Sequence, residues 1–297
     1  MDTKDLKRKL DKIDNLPTLP TIALEVNKLL QDYNTSIKKL STIIENDQAI
    51  AAKILKLVNS AFFGLRSKVG NIPHAIILLG FNTVRNAVLS VSVIKLISEI
   101  SDMEDFRIND FWTHSISVAV TSKQIAQTTC LHNPDDCFIG GLLHDIGKLI
   151  LVNNLESLFT EVWKLKREEN LSFYEAEKKV GSMNHAQIGS YLTAKWKLPN
   201  YLSDAIARHH SLSDMAVDVN LLKIIYSANI IINNTPIFEA GTYDQLDLPV
   251  DIITKIKDRQ VANEWFKNLS AEIDEACHFF GEGEKFGGKK IHDIDRR

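Results

Sequence analysis

A histidine and a carboxylate stand side by side at His144 and Asp145, within the segment Gly-Gly-Leu-Leu-His-Asp-Ile-Gly-Lys at 140–148. Neutral imidazole and ionised carboxylate are both good ligands for a divalent metal ion. Neighbouring residues of a helix point about 100° apart, because 3.6 residues make one turn. The two side chains could therefore straddle one ion, or Asp145 could bridge two ions. For the pair alone, the competing interpretation is a helix-end aspartate beside a hydrogen-bonded structural histidine.

Further histidines follow in the second half of the chain, at His114, His185 and the adjacent pair 209–210. Each alone is more typical of a structural or surface histidine, but the set comes from four different predicted helices. Asp110 lies four residues before His114 and so shares its helix face. Five imidazoles and a carboxylate at one point suffice for one or two divalent ions with positions open to water. The sequence leaves Fe, Mn, Zn and Ni open, and two adjacent ions would suit phosphoester hydrolysis.

Helices must position these side chains, since apolar residues recur at three- and four-residue steps along the chain. Only 13 glycines and 7 prolines interrupt this pattern, and no convincing strand pattern is present. The fold class predicted is therefore all-α, with many helices. The predicted helices cover 1–14, 21–32, 37–46, 48–59, 72–80, 82–98, 109–129, 134–152, 155–168, 171–180, 184–195, 199–210, 217–233, 249–258 and 260–279.

Composition and charge exclude several classes of protein. A formal net charge of −3 gives no signal for nucleic-acid binding. The charged start lacks the apolar run of a secretory signal, and no stretch approaches 18 consecutive apolar residues. We therefore expect a cytoplasmic protein without a membrane partner. The three cysteines have no metal-binding or disulfide spacing, and the four tryptophans, including Trp163, are interpreted as packing residues.

The ordered histidines resemble the HD superfamily of metal-dependent phosphohydrolases, whose motif runs H…HD…D. The spacing is similar to that of the HD-GYP subgroup, which hydrolyses cyclic di-GMP. The sequence departs from that pattern in two places. No Gly-Tyr-Pro follows the double histidine, and Asn229, in Ser-Ala-Asn, occupies the position of the family's final aspartate. A neutral amide is a weaker ligand than a carboxylate and cannot act as a base. The resemblance implies the metal ligands Asp110, His114, His144, Asp145, His185, His209, His210 and Asn229.

Lys148, four residues after His144, belongs to the same HD-x-G-K motif. It could reach a phosphate group, and a solvated lysine is the alternative interpretation. If the protein is an enzyme, Asp145 and Lys148 are the predicted catalytic residues.

The first half of the chain resembles the HDOD domain, the HD-related output domain of bacterial signalling proteins. The matching segments occur in the family's order: Leu-Pro-Thr-Leu-Pro at 16–20, Ile-Ile-Glu-Asn-Asp at 43–47, 51–61 and 75–80. The resemblance covers roughly residues 10–235 and implies an all-helical HD-like fold. HDOD domains are regarded as regulatory or interaction modules and commonly lack the HD metal ligands, whereas this chain keeps nearly all of them.

An acidic, irregular segment at 99–109 is the best candidate for an internal boundary. It divides the chain into an N-terminal helical part of the HDOD unit at 1–105 and an HD-like helical part at 106–280, followed by a flexible tail at 281–297. The helices at 72–80 and 82–98 are apolar on more than one face, which favours two halves of one structural unit.

Two functional hypotheses follow from these patterns. In the first, the chain is an HDOD signalling protein that acts by binding a partner protein or a nucleotide-type ligand, with or without a bound metal. In the alternative, it is a metal-dependent phosphohydrolase acting on a nucleotide or cyclic dinucleotide. The HDOD-like first half favours the former hypothesis, and the retained histidines favour the latter.

Overall fold

Helices form nearly all of the regular structure in the computed structural model of the protein, which confirms the predicted all-α class. Among the described residues, the only strand-like pairing is an isolated bridge between Met103 and Phe106. The structure describes residues 8, 10–11, 19–30, 32, 34–60, 65, 67–98, 102–103, 105–181, 183–212, 216–234, 246–257 and 262–281.

The N-terminal helices start where short polar side chains can cap them. Ser36 accepts a hydrogen bond from the amide of Lys39, and Asp47 accepts one from the amide of Ile50. The fourth helix bends at Gly80, whose φ of 82° lies in the left-handed region that favours glycine. The helices are α1 (Thr21–Leu29), α2 (Ile37–Glu45), α3 (Gln48–Val58) and α4 (Ile72–Ser98).

Helix α4 packs against α1, α2 and α3 and therefore organises the first half of the chain. It is long and apolar enough over Ile72–Leu96 to cross a membrane by length and composition alone, but 67% of the most apolar window is buried inside the protein. This burial is typical of a core helix, and α4 is the only described helix that meets those criteria.

The central helix of the second half, α5 (Ile108–Thr129), is buried on almost every face because its sequence carries small and apolar residues all round. It packs against α6, α12, α13 and α14. The helices are α5 (Ile108–Thr129), α6 (Pro134–Leu143), α7 (Gly147–Asn154), α8 (Glu156–Glu169), α9 (Phe173–Val180), α10 (His185–Lys195), α11 (Asn200–Arg208), α12 (Val219–Asn233), α13 (Val250–Lys257) and α14 (Ala262–Gly281).

One predicted helix, 134–152, differs from the structure, where it is divided between α6 and α7. The chain turns at His144, Asp145 and Ile146, between the two helices. Both helices are strongly apolar, so the periodicity of the sequence carries no sign of this turn. The break places the His-Asp pair at a helix junction rather than along one helix.

The two halves of the chain share one hydrophobic core, to which α1–α4 and α5–α14 all contribute buried side chains. Helices α4 and α6 also pack directly against each other. The domain boundary at 105/106 stays a prediction. The predicted tail at 281–297 and the predicted helix at 1–14 fall largely outside the described residues.

Candidate metal centre

Two glycines allow the helices around the His-Asp turn to approach closely. A Cβ on Gly141 of α6 would lie 2.8 Å from the Cα of Ala119 in α5. A Cβ on Gly147 of α7 would lie 1.9 Å from the carbonyl oxygen of His185, the first residue of α10. Because no side chain other than hydrogen fits at either position, these glycines bring α5 and α10 up to the turn that carries His144 and Asp145.

Asp145 lies at the centre of a group that we call the histidine cluster. Its Oδ1 is 3.0 Å from Nε2 of His185 and 3.5 Å from Nε2 of His209. Its Oδ2 is 3.4 Å from Nε2 of His144 and 3.7 Å from Nε2 of His114. The histidine cluster comprises His114, His144, Asp145, His185, His209 and His210.

Three of these imidazoles are held by their other ring nitrogen. Nδ1 of His144 lies 2.7 Å from the carbonyl oxygen of Gly141, and Nδ1 of His209 lies 2.8 Å from that of Ile206. Nδ1 of His185 lies 2.6 Å from a carboxylate oxygen of Glu177. A carbonyl or carboxylate oxygen can only accept, so each Nδ1 carries the hydrogen. Each Nε2 therefore faces Asp145, which is how a metal-binding histidine is normally oriented.

Two buried polar atoms of the histidine cluster lack a hydrogen-bond partner among the described residues. They are Nε2 of His144 and Oδ1 of Asp145, the latter despite its proximity to two imidazoles. Buried polar groups are nearly always hydrogen-bonded, because an unpaired one costs free energy. A cation between these atoms would satisfy both, so the residues fit a divalent metal ion, and nitrogen with oxygen ligands fits a transition metal better than Mg²⁺ or Ca²⁺.

Burial keeps three histidines of the cluster neutral. It lowers the pKa of His114 to about 3 and that of His209 to about 4, and the nearby His144 adds to both shifts. Burial also lowers the pKa of His210 far below its usual range. Neutral imidazoles keep the lone pairs that a metal ion requires.

The carboxyl of Asp145 is ionised. Burial alone would raise its pKa, but His144, Lys148 and His185 outweigh burial and hold that pKa well below its usual range. His185 shows the reverse balance, since burial lowers its pKa while the charges of Glu177 and Asp145 raise it above the ordinary value. The centre therefore offers a negative charge surrounded by imidazoles.

The remaining predicted ligands line the same space without joining the close group. Asp110 pairs with Arg107, with 3.9 Å between Oδ2 and Nε, and the amide oxygen of Asn229 accepts a hydrogen bond of 2.9 Å from Asn233. Lys148 is close, since its Nζ donates to Oδ2 of Asp145 at 2.5 Å. It is partly buried in an ion pair, whereas the alternative interpretation was a solvated lysine.

A cavity of about 590 Å³ opens beside the histidine cluster. Its lining includes His114, Asp145, Lys148, His210 and Asn229. Aromatic and cationic side chains from the 105–107 segment, α8 and α9 also line it. They are Phe106, Arg107, Phe159, Trp163, Lys166, Arg167 and Phe173.

Trp163 packs against the hydrophobic core as predicted, but it is only partly buried and also lines this cavity. Its ring stacks on Phe159 with 5.8 Å between centroids and 21° between planes, and the ammonium of Lys166 lies 4.6 Å from its centroid. Sequence patterns could not distinguish this position from a core position, because aromatic residues at helical spacing occur in both.

The family model of the HDOD domain matches residues 16–212 of this chain. This range contains every member of the histidine cluster as well as the motifs of the first half.

Three solved structures have the same fold. A proposed phosphohydrolase from Shewanella amazonensis SB2B is 23% identical with a TM-score of 0.68, and the match covers 92% of this chain and 97% of that one. An HDOD domain protein of unknown function from Geobacter sulfurreducens is 23% identical with a TM-score of 0.63, covering 97% and 90%. A proposed metal-dependent phosphohydrolase from S. amazonensis SB2B is 22% identical with a TM-score of 0.61, covering 94% and 96%.

A curated relative from Treponema pallidum (strain Nichols), itself uncharacterised, is 25% identical over 203 residues. The match spans 68% of this chain but only 39% of that protein.

Proposed function

Because the chain belongs to the HDOD family, we propose that it is a bacterial signal-transduction protein that holds one or two divalent metal ions in the histidine cluster. On this proposal it acts in the cytoplasm by binding a partner protein or a nucleotide-type ligand. The observation that carries the metal is the common orientation of His144, His185 and His209, each with Nδ1 engaged and Nε2 directed at Asp145.

The histidine cluster would supply the ligands of the metal. His114, His144 and Asp145 form one group whose ligand atoms all lie within 4.8 Å of one another, and His185, His209 and His210 with Asp145 form a second. Asp145 is common to both groups, so it is the residue suited to bridge two ions. When bound, a divalent ion lowers the pKa of a coordinated water and attracts phosphate oxygens.

The cavity supports a nucleotide-type ligand. Its volume of about 590 Å³ falls within the range of small-molecule sites. Phe159, Trp163 and Phe173 form an aromatic wall of this cavity. Trp163 and Phe173 are only partly buried and could stack against a planar base, while the buried Phe159 packs against both rings. Lys148 and Lys166 could bind phosphate oxygens on either side of that base.

The alternative function is metal-dependent phosphoester hydrolysis, which is favoured by the names of the two Shewanella proteins. Asn229 argues against hydrolysis by this chain, because it is buried beside the cavity and has no acidic oxygen. Asn229 can neither accept a proton from water nor add negative charge to the centre. We therefore place ligand or partner binding ahead of turnover.

Metal analysis of protein purified without chelators tests the proposal. We expect Mn, Fe, Zn or Ni to copurify with the wild type and to be lost from a His144→Ala/Asp145→Ala variant. The matched control is His132→Ala/Asp218→Ala, which removes a second histidine–aspartate pair, 2.9 Å apart, outside the histidine cluster. This control should keep the metal content of the wild type.

Chelator-treated wild type should also regain stability with added metal, by about 2.7 kcal/mol at a concentration one hundred times Kd. A wild type that contains no metal and shows no such stabilisation with Mn²⁺, Fe²⁺, Zn²⁺ or Ni²⁺ would overturn the proposal.

Assays with bis(p-nitrophenyl) phosphate separate the two functions. The signalling proposal predicts no metal-dependent turnover by the wild type, whereas the alternative predicts turnover that increases when Asn229→Asp restores an acid. If the wild type turns over this substrate and Asp145→Asn does not, the signalling proposal is wrong and the hydrolase function takes its place.

A further inference from the structure

Glu177 is a buried acid that lies behind the histidine cluster. It belongs to α9, and only 2% of its surface is exposed. A carboxylate is almost never buried so deeply unless its oxygens are paired. Both oxygens bind the same residue: Oε1 accepts a hydrogen bond of 2.7 Å from the backbone N–H of His185, and Oε2 lies 2.6 Å from Nδ1 of its ring.

This double contact fixes the ring of His185. The hydrogen bond to the backbone anchors the carboxylate at the first residue of α10, and the second oxygen then holds Nδ1 as a donor. Nε2, 3.0 Å from Oδ1 of Asp145, is left as the nitrogen that can bind a metal.

We propose that Glu177 is a positioning residue of the metal centre, which orients His185 and supplies the negative charge that Asn229 does not. The inference rests on the proposed metal site. Among the described residues of this centre, Asp145 is the acid within the histidine cluster, and Lys148 opposes its charge. Glu177 adds a second acid on the far side of His185, where it can act on the metal through the imidazole.

The start of α9 holds Glu177 in place. Ser172 and Glu175 form a reciprocal capping box at the first turn of this helix. The same helix carries Tyr174, whose ring stacks on His210 with 4.1 Å between centroids and 18° between planes. One short helix thus orients two rings of the histidine cluster from outside it.

Glu177→Gln tests this role because it preserves size but removes the charge and one acceptor. The amide has a single oxygen, so it can accept from the backbone N–H of His185 or from Nδ1, but its NH₂ group then confronts the other donor. We expect Zn²⁺ and Mn²⁺ to bind 10- to 100-fold more weakly, as for other residues that support metal ligands. Glu168→Gln, at an exposed position of α8, should bind both metals like the wild type.

Glu177→Asp is the conservative variant, which keeps the charge but shortens the side chain. We expect its metal affinity to lie between those of the wild type and Glu177→Gln. Equal affinity of Glu177→Gln and the wild type would overturn the inference, as would equal losses in Glu177→Asp and Glu177→Gln. A structural role alone would lower the melting temperature of Glu177→Gln without changing its affinity.

A second measurement does not depend on metal. In chelator-treated wild type, ¹⁵N NMR of the His185 ring should show the hydrogen on Nδ1, and Glu177→Gln should change this signal. If the wild type binds no metal, the proposed function fails while this measurement still reports on the orientation of His185. If the ring signal of His185 is the same in both proteins, the positioning role itself is wrong.

Discussion

Two polar clusters lie at the two ends of α6, and they differ in how completely their polar atoms are hydrogen-bonded. We call the first the Asp136 cluster, formed by Arg85, Asn86, Asp136 and Tyr201 at the start of this helix. The second is the histidine cluster, whose His144-Asp145 pair immediately follows the helix. Both place charge in the interior, where it is costly unless paired.

The Asp136 cluster leaves no oxygen of its carboxylate unpaired. Oδ1 accepts hydrogen bonds of 3.1 Å from Arg85 and 2.9 Å from Asn86, and Oδ2 accepts one of 3.0 Å from the hydroxyl of Tyr201. Arg85 and Asn86 come from α4 and Tyr201 from α11, so this cluster joins the first half of the chain to the second. Its pairing is that of a structural element.

The histidine cluster, by contrast, has a buried nitrogen on His144 and a buried oxygen on Asp145 that find no hydrogen-bond partner in the described part of the chain. Its imidazoles converge on Asp145, and because three of them stay neutral they do not repel one another as cations would. The comparison indicates that the first cluster stabilises the folded chain by itself, whereas the second is completed by a bound cation.

The largest expected effect comes from breaking the Asp136 cluster. Asp136→Ala leaves the guanidinium of Arg85 buried without its partner, so we expect the free energy of unfolding to fall by about 3–5 kcal/mol. Urea unfolding with chelator present measures it. Asp251→Ala is the control, because it breaks the more exposed pair with Lys223 and should cost about 1 kcal/mol or less. Similar losses in both variants would contradict a structural role for the Asp136 cluster.

A smaller effect is expected from Lys148→Met, which removes the cation that contacts Asp145 from the histidine cluster. An incoming metal ion then meets less repulsion and no competing donor, so we expect affinity for Zn²⁺ to rise about tenfold, equivalent to about 1.4 kcal/mol. Calorimetric titration measures the change, and Lys164→Met, which alters an exposed lysine, should leave affinity unchanged. Weaker binding by Lys148→Met would show that this lysine supports the metal rather than opposing it.

The smallest expected effect is a pH dependence of stability that belongs to the histidine cluster. The folded-state pKa values of His114 and His209 are lowered from 6.5 to about 3 and 4. The unfolded chain therefore takes up protons that the folded protein excludes, so the contribution of these two histidines to stability is full above pH 6.5 and declines as the pH falls towards 4. The raised pKa of His185 acts above pH 6.5 instead, where its contribution is lost as the pH rises, so it does not offset this decline. Between pH 6.5 and 4 we expect a net loss on the order of 1 kcal/mol per pH unit.

Urea unfolding of chelator-treated protein across this pH range measures that slope. A His114→Gln/His209→Gln variant should show a shallower slope, because glutamine does not titrate. An unchanged slope in this variant would assign the acid sensitivity to another part of the molecule.

Sequence patterns predicted most of the helices because their starts carry local signals. Ser36, Asp47, Ser172 and Asn184 all cap helices within two residues of the predicted starts. The break after Leu143 was missed, since apolar residues continue through it and only the packing of α7 against α10 decides where the chain turns. The family resemblance is confirmed by the match to the HDOD model.

For the site, sequence patterns predicted the residues of the histidine cluster better than the residues around it. Ordered histidines identified all six members of the histidine cluster, whereas Asp110 and Asn229 line the cavity outside the close group. Glu177 carried no signal, because it lies in the highly charged run Glu-Ala-Glu-Lys-Lys and glutamate on a helix is usually exposed. Only its burial against His185 separates it from its neighbours.

The sequence by itself determined the helical class, the family and the residue types available for a metal centre, because these depend on periodicity and on the order of motifs. The tertiary structure decided which ring nitrogens face Asp145, where the aromatic wall lies and which acid supports His185. Those properties depend on distances between helices far apart in the chain. Close packing at Gly141 and Gly147 sets these distances, and no local pattern encodes them.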